Sequence, residues 1–415
     1  MLQPHRKLPK RDPARPSKRR RKQPPIYLSP VRRIEKVALE ERVCAIVLEG
    51  GPCPTSAQPD QFRGKPLTLV LAELLERYGA RGTFAVKGES GEQSGVARCP
   101  ELTARLLAGG HELAGAGYAP VQAKRLLGRP IQLMKLEPVV SDLRRLRSTL
   151  EQGWGYPIRL ACPPEGLEEL SGGFTCYDAC ALVACQCLGA SFDGAGRTAR
   201  DCYKAEVEAI WRPMERILLE NPDFFRGRII RLPDGCNSAG RTPVADGLGR
   251  QLQLLSDHGY RVIPASELLE RSPFRDILPT SEIGRGARHL LSMGWCVAYQ
   301  DNALRPDNPL LRGELAMMAY GLETVTARIV MVRSGRAPFR DMAHRHPYAA
   351  AALLATETGA MTAAGGRFRP EEPVTPEELA LFCAARLGRT ISPAQSVPIT
   401  HGSFFSAAAR LTDGR

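Results

Sequence analysis

Val43-Cys44-Ala45-Ile46-Val47-Leu48-Glu49-Gly50-Gly51-Pro52 is the stretch from which the fold is read. Its apolar run is short, carries β-branched residues at 43, 46 and 47, and gives way to a Glu-Gly-Gly-Pro turn signal, so it reads as a strand followed by a loop. Working outward to about residue 269, similar short runs alternate with longer helical periods. That alternation is the mark of parallel strands joined by crossover helices. About seven strands are expected, over 43–48, 83–86, 111–114, 158–161, 182–188, 229–232 and 261–263. Helices are expected between them, among others over 66–78 with Leu67, Leu71, Leu74 and Leu75 on one face, and over 136–150 with Leu143, Leu146 and Leu150 likewise. The fold class is therefore α/β, with closure into a distorted (β/α) barrel whose chemistry would sit on loops at the C-terminal ends of the strands.

Beyond Arg271 the sequence repeats itself. Phe274-Arg275-Asp276 returns as Phe339-Arg340-Asp341, Arg305-Pro306 as Arg369-Pro370, and Glu314-Leu315-Ala316 as Glu378-Leu379-Ala380. The spacing stays between 64 and 65 residues throughout, which defines a helical unit that stacks with copies of itself. Two copies are expected, at 272–323 and 337–388, after a barrel spanning 37–271. Residues 389–415 show no third copy and read as a flexible end.

The 415 residues are 43% hydrophobic, too apolar for a chain disordered throughout, and contain no run of eighteen apolar residues that would cross a membrane. The net charge of +13 is mostly local. Residues 1–36 hold 13 Lys or Arg against Asp12 and Glu35, and seven prolines break them up. This segment is expected to be a disordered basic tail able to meet an anionic polymer, a membrane surface or nucleic acid, with a merely solubilising role as the plain alternative. No apolar stretch directly follows the basic residues as a secretory signal would require. Twelve cysteines spread over the chain suggest buried free thiols in a reducing setting. The densest group is Cys176, Cys180, Cys185 and Cys187, of which the first, second and fourth would share one helical face in a core. Cys162 and Cys236 have no histidine near them in sequence and read as buried or idle thiols.

Two resemblances can be read from the motifs. The C-terminal repeat resembles the S-layer homology motif, with its opening Phe-x-Asp and its closing Thr-Arg-Ala-Glu helix start, here Leu311-Arg312-Gly313-Glu314 and Thr375-Pro376-Glu377-Glu378. That resemblance implies a grip on an acidic wall polysaccharide through the motif arginine, which Arg312 matches and Pro376 does not. A purely structural repeat is the alternative. Residues 43–270 resemble the polysaccharide deacetylase family with NodB homology. The family's Thr-Phe-Asp-Asp-Gly-Pro stands here as Val47-Leu48-Glu49-Gly50-Gly51-Pro52, and Thr-Phe-Phe-Val as Thr83-Phe84-Ala85-Val86. Its Gly-His-Glu-Ile-Gly-Asn-His-Thr-Tyr-Ser-His block stands as Gly110-His111-Glu112-Leu113-Ala114-Gly115-Ala116-Gly117-Tyr118-Ala119-Pro120. Arg-Pro-Pro-Tyr-Gly becomes Cys162-Pro163-Pro164-Glu165-Gly166, and Gly-Ser-Ile-Ile-Leu-Leu-His-Asp becomes Gly227-Arg228-Ile229-Ile230-Arg231-Leu232-Pro233-Asp234.

The deacetylase resemblance implies a divalent metal held by one Asp and two His, with a separate base and acid. Those ligand positions are Gly50, Ala116 and Pro120 in this chain, and the acid position is Pro233. Only Glu49 keeps a carboxylate, at the base position. No cofactor is therefore expected, and the chain is expected to be an inactive deacetylase-like protein of a bacterial cell envelope. It would bind cell-wall polysaccharide or peptidoglycan through the barrel groove and the repeats. Glu165, Asp193 and Asp234 also follow predicted strands, and with Tyr118 and Arg312 they are the candidate binding or catalytic residues. His111 matches a framework position and reads as a satisfied structural histidine. Two alternatives stay open. One is an active carbohydrate deacetylase with a relocated site that uses Zn²⁺ or another divalent ion. The other is an intracellular assembly protein whose basic tail docks on a polyanion.

Overall fold

The structure is a computed structural model that describes residues 26–58, 62, 64–89, 94–119, 125–126, 129–130, 133–163, 169–194, 202–321, 323–388 and 398–413. In chain order its strands are β1 Arg33–Ile34, β2 Val43–Glu49, β3 Thr83–Val86, β4 Glu112–Gly115, β5 Arg125–Leu126, β6 Arg129–Pro130, β7 Leu160–Ala161, β8 Gln186–Leu188, β9 Phe192–Asp193, β10 Ile229–Pro233 and β11 Arg261–Val262. Nine of them form one parallel sheet in the order β1-β8-β7-β4-β3-β2-β10-β9, with β11 also on β2, while β5 and β6 pair separately. Helices α1 Leu67–Arg77, α2 Pro100–Ala108, α3 Leu136–Trp154, α4 Cys176–Leu182, α5 Tyr203–Glu220, α6 Val244–Asp257 and α7 Ala265–Arg271 accompany the strands. The α/β barrel expected from the alternation is thus the observed architecture.

Every apolar residue of β2 is buried, because neighbours lie on both of its faces. Cys44, Ile46 and Leu48 pack outward with Leu71, Leu143, Ile210 and Leu248 of the surrounding helices. Val43, Ala45 and Val47 face inward, against Ala85, Ala114 and Leu160. The small inward residues draw the wall tight, leaving the strand ends as the place where polar chemistry can gather.

Several expectations are corrected. Residues 182–188 are not one strand. A Thr175–Asp178 capping box starts α4, a turn at Val183–Ala184 follows, and only Gln186–Leu188 is extended. Cys176 and Cys180 therefore lie on a helix while Cys187 lies on the next strand, and all three are buried. The two-residue strands β1 and β9 sit in no apolar run and were not expected. β1 also corrects the disordered tail expected over 1–36. Ile34 and Leu28 are buried, Ile34 O accepts from Gly189 N at 2.8 Å, and Glu35 O accepts from Ile229 N at 3.0 Å. The segment thereby bridges β8 and β10. Apolar residues at 28, 31 and 34 anchor it. The basic residues 1–25 lie outside the described residues, and so do the tail contacts expected of them.

The C-terminal part is all helical, with α8 Glu282–Ser292, α9 Arg312–Tyr320, α10 Glu323–Ser334, α11 Ala349–Glu357, α12 Pro376–Leu387 and α13 His401–Asp413. The repeat has a physical cause. Asp276 accepts the backbone N–H groups of Leu304 and Arg305 at 2.9 Å each. Asp341 does the same for Phe368 and Arg369 at 3.0 and 2.7 Å. Each aspartate thus clamps a turn whose arginine has positive φ, 49° at Arg305 and 61° at Arg369. The flexible end expected over 389–415 is corrected for 398–413. Leu310 donates to Ile399 O, and Val374 donates to Leu310 O, both at 2.9 Å, so the chain before α13 is threaded into the repeat array. α13 then lies along α8, where a Cβ at Gly286 would meet Phe405 O at 1.7 Å. Glycine at that position is what allows the two helices to touch.

Candidate functional site

Parallel register brings the mouth residues together. β10 runs between β2 and β9, with Arg231 opposite Val47 on one side and Asp193 on the other, and with Pro233 opposite Glu49. The Arg231 guanidinium consequently reaches two carboxylates, with Nη1 at 3.7 Å from Glu49 Oε2 and Nη2 at 3.3 Å from Asp193 Oδ2. The Arg231 and Glu49 side chains are only 16% and 15% exposed, so the pair closes the mouth rather than decorating it. Beneath it is a cavity of about 30 Å³ lined by Glu49, Arg231, Cys162, Tyr177 and Arg33. That is room for about one water. A sugar ring does not enter it.

Arg231 is the residue that sequence reasoning missed. The signal was present, since it stands where the family block has an apolar leucine. Asp142, from α3, was missed too. Its carboxylate accepts Tyr118 N at 2.7 Å and Ala119 N at 3.0 Å, fixing the loop after β4.

The two carboxylates expected at the mouth have parted company. Asp234 is 2% exposed and does not line the cavity. The Thr68 hydroxyl lies 2.8 and 2.7 Å from its two oxygens, and Gly51 leaves the space the carboxylate occupies. Burial raises its pKa to about 7, with the Thr68 hydrogen bond opposing the shift. Asp234 is thus a sealed acid, cut off from the water that a catalytic group needs, and its candidate catalytic role is corrected accordingly.

Other candidates are also committed internally. Tyr118 is buried, its hydroxyl 3.3 Å from Glu89 and its ring under the Arg145 guanidinium at 3.7 Å, so it is not an open platform for a sugar. Glu165 and Pro120 lie outside the described residues. Burial pushes the Cys162 thiol well above its ordinary pKa, which leaves it an unreactive thiol. The His111 ring accepts from Gly82 N at 3.2 Å, and its Nε2 lies 3.2 Å from Glu76. It is a satisfied structural histidine beside the Glu76–Arg105 pair.

Arg312 is the clearest correction. It is 1% exposed, and its Nε and Nη2 donate to Phe368 O at 2.9 Å and Thr362 O at 2.8 Å while Nη1 pairs with Glu378. The arginine ties one repeat to the next and offers no free donor face to a polysaccharide. Burial lowers its pKa, with Arg369 adding to the shift.

The residues at the mouth do not fit a divalent metal. Ala116 and Gly50 carry no donor, and Gly50 has φ +110°, where an aspartate would be strained. Glu49 faces a guanidinium. Among the described residues no three His, Cys, Asp or Glu side chains converge as an ion site.

No family model matches this chain, and no curated protein matches it. Among solved structures it is similar to a peptidoglycan deacetylase from Bacillus subtilis, at 20% identity over 62% of this chain and 97% of that one, with a TM-score of 0.39. It is similar to a CE4 family pseudoenzyme from Bacillus anthracis, at 12% identity over 55% and 66%, TM-score 0.39. A family 4 acetyl xylan esterase from Clostridium thermocellum is similar at 16% identity over 55% and 90%, TM-score 0.38. The reading of the mouth rests on its own residues.

Proposed function

We propose that this chain is a non-hydrolytic, deacetylase-like glycan-binding protein of a bacterial cell envelope that works without a divalent metal. The observation that carries the loss of hydrolysis is the Arg231 guanidinium held between Glu49 and Asp193. A general base must accept a proton from water, and a carboxylate neutralised by a neighbouring cation is a poor acceptor. Proline at 233 removes the acid and glycine at 50 removes a ligand, so three parts of the inherited scheme are missing together.

The support for a glycan partner is the motif-by-motif frame over residues 43–270. Cell-wall polysaccharide or peptidoglycan would lie across the lip of the barrel, where Asp193 is exposed, rather than in the small cavity beneath it. Arg312 has no part in this contact. The described residues contain no single helix long and apolar enough to cross a membrane.

The test has two arms. Acetate release from chitin oligomers and peptidoglycan, with added Zn²⁺ or Co²⁺, is expected to stay at background. Metal-dependent release that disappears in Glu49→Gln would overturn the inactive reading. Retention on purified peptidoglycan at low salt is expected, and free passage through it would overturn the glycan reading.

A further inference from the structure

A second cavity lies away from the mouth, where barrel and helical repeats meet. It measures about 300 Å³, at the lower end of the range for small-molecule sites and roughly ten waters' worth of space. Three segments wall it: residues 29–34 of the N-terminal segment, the turn and strand at 184–187, and the loop at 294–297. Val31, Ile34, Leu291 and Trp295 make most of its surface apolar.

One charged side chain lines it, that of Arg32. Its Nη1 donates to Asn302 Oδ1 at 3.0 Å, and among the described residues no carboxylate pairs with it. The group that couples to it is the Cys296 thiol, which burial pushes up to about 12 and which is therefore neutral at physiological pH. Neighbouring arginines are treated differently. Arg33 pairs with Glu35 at 2.9 Å, and Arg275 and Arg305 pair with Asp301 at 3.4 and 2.8 Å. The surroundings of Arg32 are also short of acceptors, since the amide nitrogen of Asn302 is buried without a hydrogen-bond partner. An unbalanced cation against an apolar cavity is costly, and a carboxylate entering that cavity would both neutralise it and fill the guanidinium fork.

We propose that this junction cavity binds a small amphiphilic organic anion, a carboxylate head on Arg32 with an apolar body against Val31, Ile34 and Trp295. Such a ligand would touch all three walls and fasten the helical repeats to the barrel. The proposal is independent of any glycan bound at the mouth.

Trp295 is a built-in reporter among three tryptophans, Trp154, Trp211 and Trp295. The full chain is titrated at pH 7.5 with octanoate, octan-1-ol and inorganic phosphate while tryptophan emission is followed, and Trp295→Phe assigns the signal. Octanoate is expected to give a saturable change at least tenfold tighter than octanol, with phosphate giving none. Arg32→Gln should weaken octanoate tenfold or more while leaving octanol unchanged, which shows the cavity intact. Equal affinity for octanoate and octanol in the unmodified protein, or no saturable change with either, overturns the proposal, and that comparison decides even if Arg32→Gln does not fold. Octanoate binding unchanged in a folded Arg32→Gln overturns it as well.

Discussion

At the barrel mouth and in the helical repeats, a charged residue at a motif position, Glu49 or Arg312, pairs within the protein, but at different depths. Glu49 meets Arg231 at the mouth, at 3.7 Å, with 15% and 16% of their side chains exposed. Arg312 is fully enclosed, with Glu378 and two backbone carbonyls as its partners. The difference teaches that a charged residue at a motif position can serve packing, and that the energy attached to it depends on burial and on how many partners it holds. An arginine only 1% exposed that serves a carboxylate and two backbone carbonyls is expensive to remove, because those carbonyls are left without partners. The Glu49–Arg231 contact is longer, at 3.7 Å, and the arginine's other carboxylate, Asp193, is exposed, so less is lost when it breaks.

The comparison can be broken most directly at Arg312. Arg312→Ala should destabilise the chain by about 3–5 kcal/mol in urea unfolding, and a loss under 1 kcal/mol would mean that the arginine is not the clamp between repeats. Asp234 extends the comparison, as a charge turned inward with a hydroxyl and no counter-charge. Its folded pKa of about 7 stands above the unfolded carboxylate value of 3.8, so the folded state holds a proton that the unfolded state has released. The resulting stability is complete below pH 4 and is lost as pH rises through 7. Between pH 5 and 8 the unmodified protein should lose roughly 3 kcal/mol from this group, and Asp234→Asn should remove that slope. An Asp234→Asn variant with the same pH dependence as the parent would place the ionised carboxylate in water. The smallest effect is expected at the mouth, where Arg231→Ala should cost about 1–2 kcal/mol, since its contact with Glu49 is long and Asp193 is exposed. A loss as large as that of Arg312→Ala would erase the distinction between edge and interior.

Much of the architecture was legible because it is written in periodicity. The run at 43–48, the Thr83–Val86 strand and the leucine faces of α1 and α3 appear where expected, since burial on a sheet or helix face imposes a spacing on apolar residues. β1 and β9 escaped because neither sits in an apolar run, unlike the equally short β7 and β11, which fall in the runs expected at 158–161 and 261–263. The end of the chain escaped for another reason. Ile399 and α13 belong to the repeat array by position and hydrogen bonding rather than by sequence identity, and α13 meets α8 where Phe405 lies against Gly286.

The candidate site was legible only in what it lacks. Gly50, Ala116, Pro120 and Pro233 offer no side-chain donor, and residue type alone decides that. Where the charged groups point is a different matter, because it depends on which strands are neighbours. Only the β2-β10-β9 register sets Arg231 between Glu49 and Asp193, and only the meeting of three distant segments leaves Arg32 lining an apolar cavity with no carboxylate partner among the described residues. The amino-acid sequence by itself determined the alternating framework, the repeat and the missing donors, since these follow from local residue types and spacing. Tertiary structure decided the partners of each charge, because electrostatic interactions and burial join residues far apart in the chain.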